Sequence, residues 1–233
     1  MSFCAAAIVP AYNEATRVGP VLEEILGSGL FETVVAVDDG STDDTFNEIL
    51  SHPVVPVRHP QNRGKGAALQ SGLELVAGTS AVAFIDADLL GLGAEHLHDL
   101  LGPIARDPKN LMTVARLTGR RVRVNAAQRF FSILNGQRVL SRPFLDNLPD
   151  LSPLRFGVEV FMSRLARDLG PGEIAVPWRD VTHVMKEEKY GLFRGFAERM
   201  KMYSEVLATY YRHYPRWSVG EKRNRIHRDT GGE

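Results

Sequence analysis

The chain has 233 residues, 44% hydrophobic and 24% charged, with Lys plus Arg and Asp plus Glu at 28 each. That is enough sequence for one full core, and no net charge to recruit nucleic acid. No apolar run approaches the roughly 20 residues that cross a bilayer and no signal peptide is evident at the N-terminus, so membrane contact is expected only at the periphery. A single cysteine, Cys4, excludes an internal disulfide and fits a reducing cytoplasm.

Residues 5–10, AAAIVP, form a short apolar run closed by proline, the pattern of a strand buried on both faces. Val18, Val21, Leu22 and Ile25 follow at helical spacing, and Gly27 and Gly29 end that helix. TVVAVD (33–38) predicts a second strand. A short helix begins near Asp43, with Phe46, Ile49 and Leu50 as its apolar face. VVPVRH predicts a third strand, residues 65–76 a third helix, and AVAFID (81–86) a fourth strand. Strands alternating with helices imply right-handed βαβ units and an α/β fold with a mainly parallel, doubly wound sheet. Beyond this the pattern is less regular. Strands are expected at 110–116, in IAVPW and in DVTHV, and helices at 128–134, 158–169 and 192–211. The tail, 215–233, is polar, rich in Arg and Gly, and expected to be mobile.

In a doubly wound sheet, ligands bind beyond the carboxyl ends of the strands. There the sequence places PAYNE (10–14), DDGSTDD (38–44), NRGKGAAL (62–69) and DADL (86–89), one after each strand in turn. Each taken singly is ordinary. A DG turn followed by Ser-Thr-Asp is common loop and cap chemistry, and a bare D-x-D is more often structural than not. Their placement on four successive strand ends converges them on one crevice. In an extended segment residues two apart point the same way, so Asp86 and Asp88 can offer both carboxylates to one hard cation. Glycines in RGKG let the backbone approach closely, and Lys65 supplies a point charge.

In this order and spacing the four motifs resemble the N-terminal half of family 2 glycosyltransferases with the GT-A fold. LNGQRVL (134–140) resembles the SGxR segment of polyprenyl-phosphate sugar transferases and their bacterial relatives. FGVEV (156–160) resembles their GxE helix start, and VTHVMKEEKYG (181–191) a segment whose His completes the metal site in some related enzymes. The resemblance implies a glycosyltransferase taking a sugar from a nucleotide-diphospho-sugar with Mg²⁺ or Mn²⁺. Carried over position by position, Pro10, Ala11 and Tyr12 line the base and ribose pocket, with Glu14 near the ribose and Asp39 on the base, while Asp38 holds the turn. Lys65 approaches the base or the diphosphate. Asp86, Ala87 and Asp88 meet the diphosphate and its metal, with His183 as the candidate third ligand. Glu159 is the acceptor-side carboxylate. It serves as a base if the acceptor is a hydroxyl, and only orients groups if the acceptor is an ionised phosphate; an acid favoured by the helix dipole is the plainer reading. Arg138 is expected to clamp a phosphate of donor or acceptor.

One GT-A domain is expected over 1–214, with 1–108 binding the nucleotide sugar and 109–214 the acceptor, followed by the basic tail. The acceptor is read as polyprenyl phosphate, or else a small phosphorylated or hydroxyl molecule such as 3-phosphoglycerate. From 109 to 142 there are eight basic residues and no acid: a solvated face, or a surface for phosphates or an anionic membrane. Arg120, Arg121 and Arg123 with Phe130 and Phe131 are the candidate patch for peripheral contact at the inner face of the membrane. Rival chemistries lack their motifs. GxGxxG does not follow the first strand, NRGKGA is not a P-loop, DADLL lacks the Thr of a haloacid-type phosphatase, and the first loop is not that of a nucleotidyltransferase. A non-catalytic nucleotide-sugar binder is the remaining rival.

Overall fold

The computed structural model describes residues 3–107, 109–118 and 136–183. The helices expected at 128–134 and 192–211, the tail, the 120–131 patch and residues 184–191 lie outside the described residues. In chain order the elements are β1 (Ala5–Ala11), α1 (Val18–Gly27), β2 (Thr33–Asp38), α2 (Thr45–Leu50), β3 (Val55–Arg58), α3 (Lys65–Leu73), β4 (Ala81–Phe84), β5 (Leu89–Leu90) and α4 (Ala94–Arg106). There follow β6 (Met112–Thr118), β7 (Arg138–Ser141), α5 (Arg142–Leu145), a 3₁₀ turn (Ser152–Gly157), α6 (Val158–Leu169), β8 (Glu173–Arg179) and β9 (Thr182–His183).

Seven strands form one sheet in the order β3-β2-β1-β4-β7-β6-β8, and β5 pairs with β9 in a separate ribbon. The first four strands in that order are mutually parallel. β7 is antiparallel to both β4 and β6, and β8 is parallel to β6. The outer strands β3 and β8 each carry a proline, Pro56 and Pro177, as edge strands tolerate.

Alternation along β1 divides the core in two. Ala5, Ala7, Val9 and Ala11 face α1 and α4 through Val18, Leu22, Ile25, Leu97, Leu100 and Ile104. Ala6 and Ile8 face the other layer, with Leu69 of α3, Phe144 of α5 and Val158, Met162 and Ala166 of α6. A buried aliphatic side chain such as Ile8 or Leu22 contributes about 2 kcal/mol. The result is the GT-A architecture, a mainly parallel sheet between two helical layers.

Three expectations about elements need correction. Leu50 is 53% exposed, and the inner face of α2 is Thr45 and Ile49, one turn apart. Leu50 stands about 100° further round the helix. Helix α3 ends at Leu73, and residues 74–76 continue as turns. The fourth strand stops at Phe84, so Asp86 lies beyond it, and residues 87–88 form a turn before β5. Helix α4 occupies a stretch to which the sequence reading assigns no element. Its signal is the helical spacing of Leu97, Leu100, Leu101 and Ile104, offset by Pro103, which the helix accommodates in its last turn.

Candidate active site at the carboxyl edge of the sheet

Registers Ala11↔Asp38, Asp38↔Arg58 and Ile8↔Phe84 bring the ends of β1, β2, β3 and β4 to one edge. Because β7 runs antiparallel, Arg138 pairs with Phe84, and the start of β7 joins the same edge. The four motifs and the GQR segment therefore meet, as helix-layered parallel sheets require.

PAYNE and DDGSTDD are sewn together. The Asn13 backbone, at φ 55°, donates to Ser41 Oγ at 2.9 Å, and Asn13 Oδ1 accepts from the Thr42 amide at 2.9 Å. The Glu14 amide donates to Thr45 Oγ1 at 2.8 Å, and the Glu14 carboxylate pairs with Arg17 Nη1 at 2.9 Å. Asp38 holds the turn, as expected. Its Oδ1 accepts from the Ser41 amide, and its Oδ2 lies 3.2 Å from Arg58 Nε. Gly40, at φ 74°, has no room for a side chain against the Gln61–Asn62 backbone. Asp39, expected on the base, is 3% exposed and receives the amides of Arg63 (2.9 Å) and Gly64 (2.7 Å) and the ring Nδ1 of His59 (2.7 Å). His59 reaches Ser71 Oγ through Nε2 at 2.9 Å. Within the protein, Asp39 fixes the loop that delivers Lys65. A shallow cleft of about 360 Å³, lined by Gly40, Ser41, Arg58, His59 and Pro60, opens beside it. Pro10 is half-buried, Ala11 is buried, and Tyr12 is 39% exposed at the same edge.

The second grouping centres on Lys65, the first residue of α3. Its ammonium lies 2.5 Å from Asp86 Oδ1 and 2.7 Å from Glu159 Oε1. Burial alone would lower the lysine pKa, but the Asp86 and Glu159 carboxylates outweigh it and hold the ammonium well above the usual lysine range. Gln137 Nε2 donates to the other oxygen, Asp86 Oδ2, at 2.9 Å. A Cβ on Gly136 would collide with both the Asp86 carboxylate and the Lys65 ammonium, so only glycine lets this backbone wall the pair.

Arg138 departs from expectation. It is fully buried, donating from Nη1 to the Glu159 carbonyl at 3.1 Å and lying 3.9 Å from Met112 Sδ. Burial pulls its pKa down, partly offset by Glu159, Glu173 and Asp86. A guanidinium enclosed between β7 and α6 supports the first turn of α6 and is not presented to a phosphate. The glycines of RGKG also approach protein: a Cβ on Gly66 would strike the Leu151 carbonyl, and one on Gly64 would touch the Arg155 side chain. They let α3 lie close against the 3₁₀ turn that leads to Glu159.

Asp86 and Asp88 are both half-buried and Ala87 is buried. Since residues 87–88 turn, the two-residue alternation of an extended strand does not govern where the two carboxylates point. Directly after this turn β5 pairs with β9, which sets Leu89 opposite His183. Of His183 the structure describes the backbone. Among the described residues no group of three or more His, Cys, Asp or Glu side chains is placed to hold a metal ion. The donor chemistry nonetheless fits Mg²⁺ or Mn²⁺. Two carboxylates are hard oxygen ligands, and such ions commonly take one or two carboxylates with the rest from phosphate and water.

Sequence reasoning missed His59, Gln137 and His96. His96 Nδ1 accepts from the Gly93 amide at 3.0 Å, leaving Nε2–H to donate to the Arg179 carbonyl at 3.1 Å, which ties α4 to the end of β8. His59 and Gln137 carry no local mark, because their partners come from other segments; His96 has one local partner, Gly93, and one distant, Arg179. Among the described residues no helix is long and apolar enough to cross a membrane.

Comparison with known proteins agrees with this geometry. The model of the family described as "Glycosyl transferase family 2" matches residues 6–161. A glucosyl-3-phosphoglycerate synthase of Mycolicibacterium smegmatis is 33% identical over 106 residues, covering 42% of this chain and 35% of that protein. A dolichyl-phosphate beta-glucosyltransferase of Trichomonas vaginalis is 27% identical over 198 residues, covering 73% of this chain and 55% of that one. The chain thus spans between about a third and just over half of these relatives. Among solved structures, glucosyl-3-phosphoglycerate synthase from Mycobacterium tuberculosis, in complex with Mn²⁺, UDP and glucosyl-3-phosphoglycerate, superposes with a TM-score of 0.70 at 24% identity, over 89% of this chain and 78% of that one. With the family match running from β1 into α6, across every strand end that builds the edge, the chain belongs to glycosyl transferase family 2.

Proposed function

We propose that the chain is a metal-dependent hexosyltransferase that moves a sugar from a nucleotide-diphospho-sugar to a phosphate-bearing acceptor. The carrying observation is the Lys65 ammonium bridging Asp86 and Glu159 where the two halves of the fold meet. Residues 1–108 form the donor half and 109–214 the acceptor half. The nucleoside lies along Pro10, Ala11, Tyr12 and Glu14, beside the loop that Asp39 braces. Asp86 and Asp88, with His183 as third ligand, hold Mg²⁺ or Mn²⁺, which when bound neutralises charge on the departing diphosphate. The anomeric carbon–oxygen bond to the diphosphate breaks as a bond to the acceptor oxygen forms. Lys65 adds a second positive charge beside the leaving group.

Glu159 is 5% exposed and engaged by Lys65, so it suits orienting groups better than taking a proton. That favours an acceptor that arrives ionised, such as polyprenyl phosphate, which needs no base. The fold similarity to the M. tuberculosis synthase supports a second reading, transfer to the hydroxyl of a small phosphorylated acid such as 3-phosphoglycerate, with Glu159 then accepting the hydroxyl proton. A cytoplasmic protein touching the inner membrane face accords with the first reading. The test is transfer from UDP-glucose and GDP-mannose with Mn²⁺ to polyprenyl phosphate and, separately, to 3-phosphoglycerate. Product with the former alone supports the first reading, and product with the latter alone the second. Donor binding with no turnover on any acceptor would mark a binding protein.

A further inference from the structure

We propose that Lys65 is a placeholder cation. It occupies the charge position of the divalent ion at Asp86 until the donor arrives, and so makes metal binding depend on the nucleotide diphosphate. The inference rests on the metal reading of Asp86 and Asp88 given above, and goes beyond it by assigning an order of binding to one side chain.

The geometry carries it. Both oxygens of Asp86 already have partners within the protein: Oδ1 has the Lys65 ammonium at 2.5 Å and Oδ2 the Gln137 amide at 2.9 Å. The same ammonium meets Glu159 at 2.7 Å, so one cation sits between two acids and weakens their mutual repulsion. The Gly136 backbone closes the pair from the side. A divalent ion approaching Asp86 therefore meets a carboxylate already paired with a cation, and a like charge within a few ångströms in a partly desolvated site, where such repulsion is weakly screened. A nucleotide diphosphate changes the balance. It brings negative oxygens that attract both cations, and Lys65 stays tethered by Glu159 when its contact with Asp86 loosens. Gln137 holds the carboxylate in orientation throughout.

The test measures Mn²⁺ binding by electron paramagnetic resonance on the whole chain, at fixed pH and salt, with and without UDP. Wild type is expected to bind Mn²⁺ alone weakly and with UDP strongly. Lys65→Met, which keeps the aliphatic stem and loses the charge, is expected to bind Mn²⁺ alone at least ten-fold more tightly than wild type. Lys65→Arg, which keeps the charge, is expected to stay close to wild type. Should Lys65→Met be unstable, thermal melting gives the same answer: Mn²⁺ alone should raise its melting temperature more than that of wild type. No gain in Mn²⁺ affinity or melting shift in Lys65→Met, with binding still abolished by Asp88→Asn, overturns the placeholder and leaves the metal site standing. Equal gains in Lys65→Met and Lys65→Arg overturn it as well. Undiminished Mn²⁺–UDP binding in Asp88→Asn overturns the metal site and the placeholder together.

Discussion

The edge of the sheet holds its carboxylates in two ways. Around the ends of β1, β2 and β3, short acids are satisfied mainly by neighbouring backbone amides: Asp38 by Ser41, Asp39 by Arg63 and Gly64, Asp43 by Thr45. Around the end of β4, Asp86 and Glu159 are satisfied by the long side chains of Lys65 and Gln137, carried in from other elements. The first arrangement sets loop shape and stabilises the fold modestly, about 1 kcal/mol for each hydrogen bond. The second buries charge, which by itself adds little to stability. One region braces loops, and the other gathers charge from separate elements.

The sharpest way to break that contrast is at the proposed metal carboxylate. Asp88→Asn is expected to lower metal-dependent sugar transfer by about 10²-fold or more, the scale on which one electrostatic group acts in a transition state. The fold should be intact by circular dichroism. Full metal-dependent turnover in that variant would remove the proposed metal site.

Next in size is the buried charge itself. Glu159→Ala strips a partner from Lys65, and urea unfolding should register a loss of about 3 kcal/mol, as for other broken buried pairs. Glu159→Gln, which can still accept from Lys65, should lose less. Equal losses would mean that packing, and not charge, governs this position.

A steric test follows on the contact that joins the two regions. Gly66→Ala drives a methyl into the Leu151 carbonyl and should cost about 2 kcal/mol in thermal unfolding. Gly27→Ala, with nothing within 4 Å of its added Cβ, should be neutral or gain about 0.5 kcal/mol. If the two behave alike, the close packing of α3 on the 3₁₀ turn is not what sets Lys65 in place.

The smallest effect belongs to the scaffold acids. Burial raises the Asp43 pKa, but the hydrogen bonds from Thr45 and the Ala15 amide win and leave it below the ordinary aspartate value of 3.8. A carboxylate with a depressed folded pKa contributes stability above its unfolded pKa and loses it as pH falls through the folded value. Because Asp43 is exposed and its interactions are screened by solvent, Asp43→Ala should cost well under about 1 kcal/mol at pH 7, and the gap between variant and wild type should narrow in melting curves as pH falls below 3.8. A gap that persists in acid would assign the loss to something other than the charge.

The N-terminal half was open to sequence reasoning because its signals are short-range. β1, β2 and α6 fall where apolar runs and helical spacing put them, and each polar motif follows its own strand within a few residues. Asp38 as holder of its turn is what the family resemblance implies, and its Oδ1 accepts from the Ser41 amide three residues on. Arg138 shows the limit. A basic residue in GQR has the chemistry of a phosphate clamp, yet the antiparallel insertion of β7 between β4 and β6 turns it inward, under the first turn of α6. No local pattern contains that reversal of strand direction.

The strand-end motifs, their order and the hard-oxygen chemistry of Asp86 and Asp88 were thus determined by the sequence by itself, since each depends on neighbours along the chain. The tertiary structure alone decided that Lys65 lies between Asp86 and Glu159, that Gln137 caps the other oxygen, and that the RGKG glycines face the 3₁₀ turn. The reason is physical. These contacts join residues 21 and 51 positions apart in the first two cases, and which side chains meet across such separations depends on strand order, direction and register, which only the packed sheet supplies.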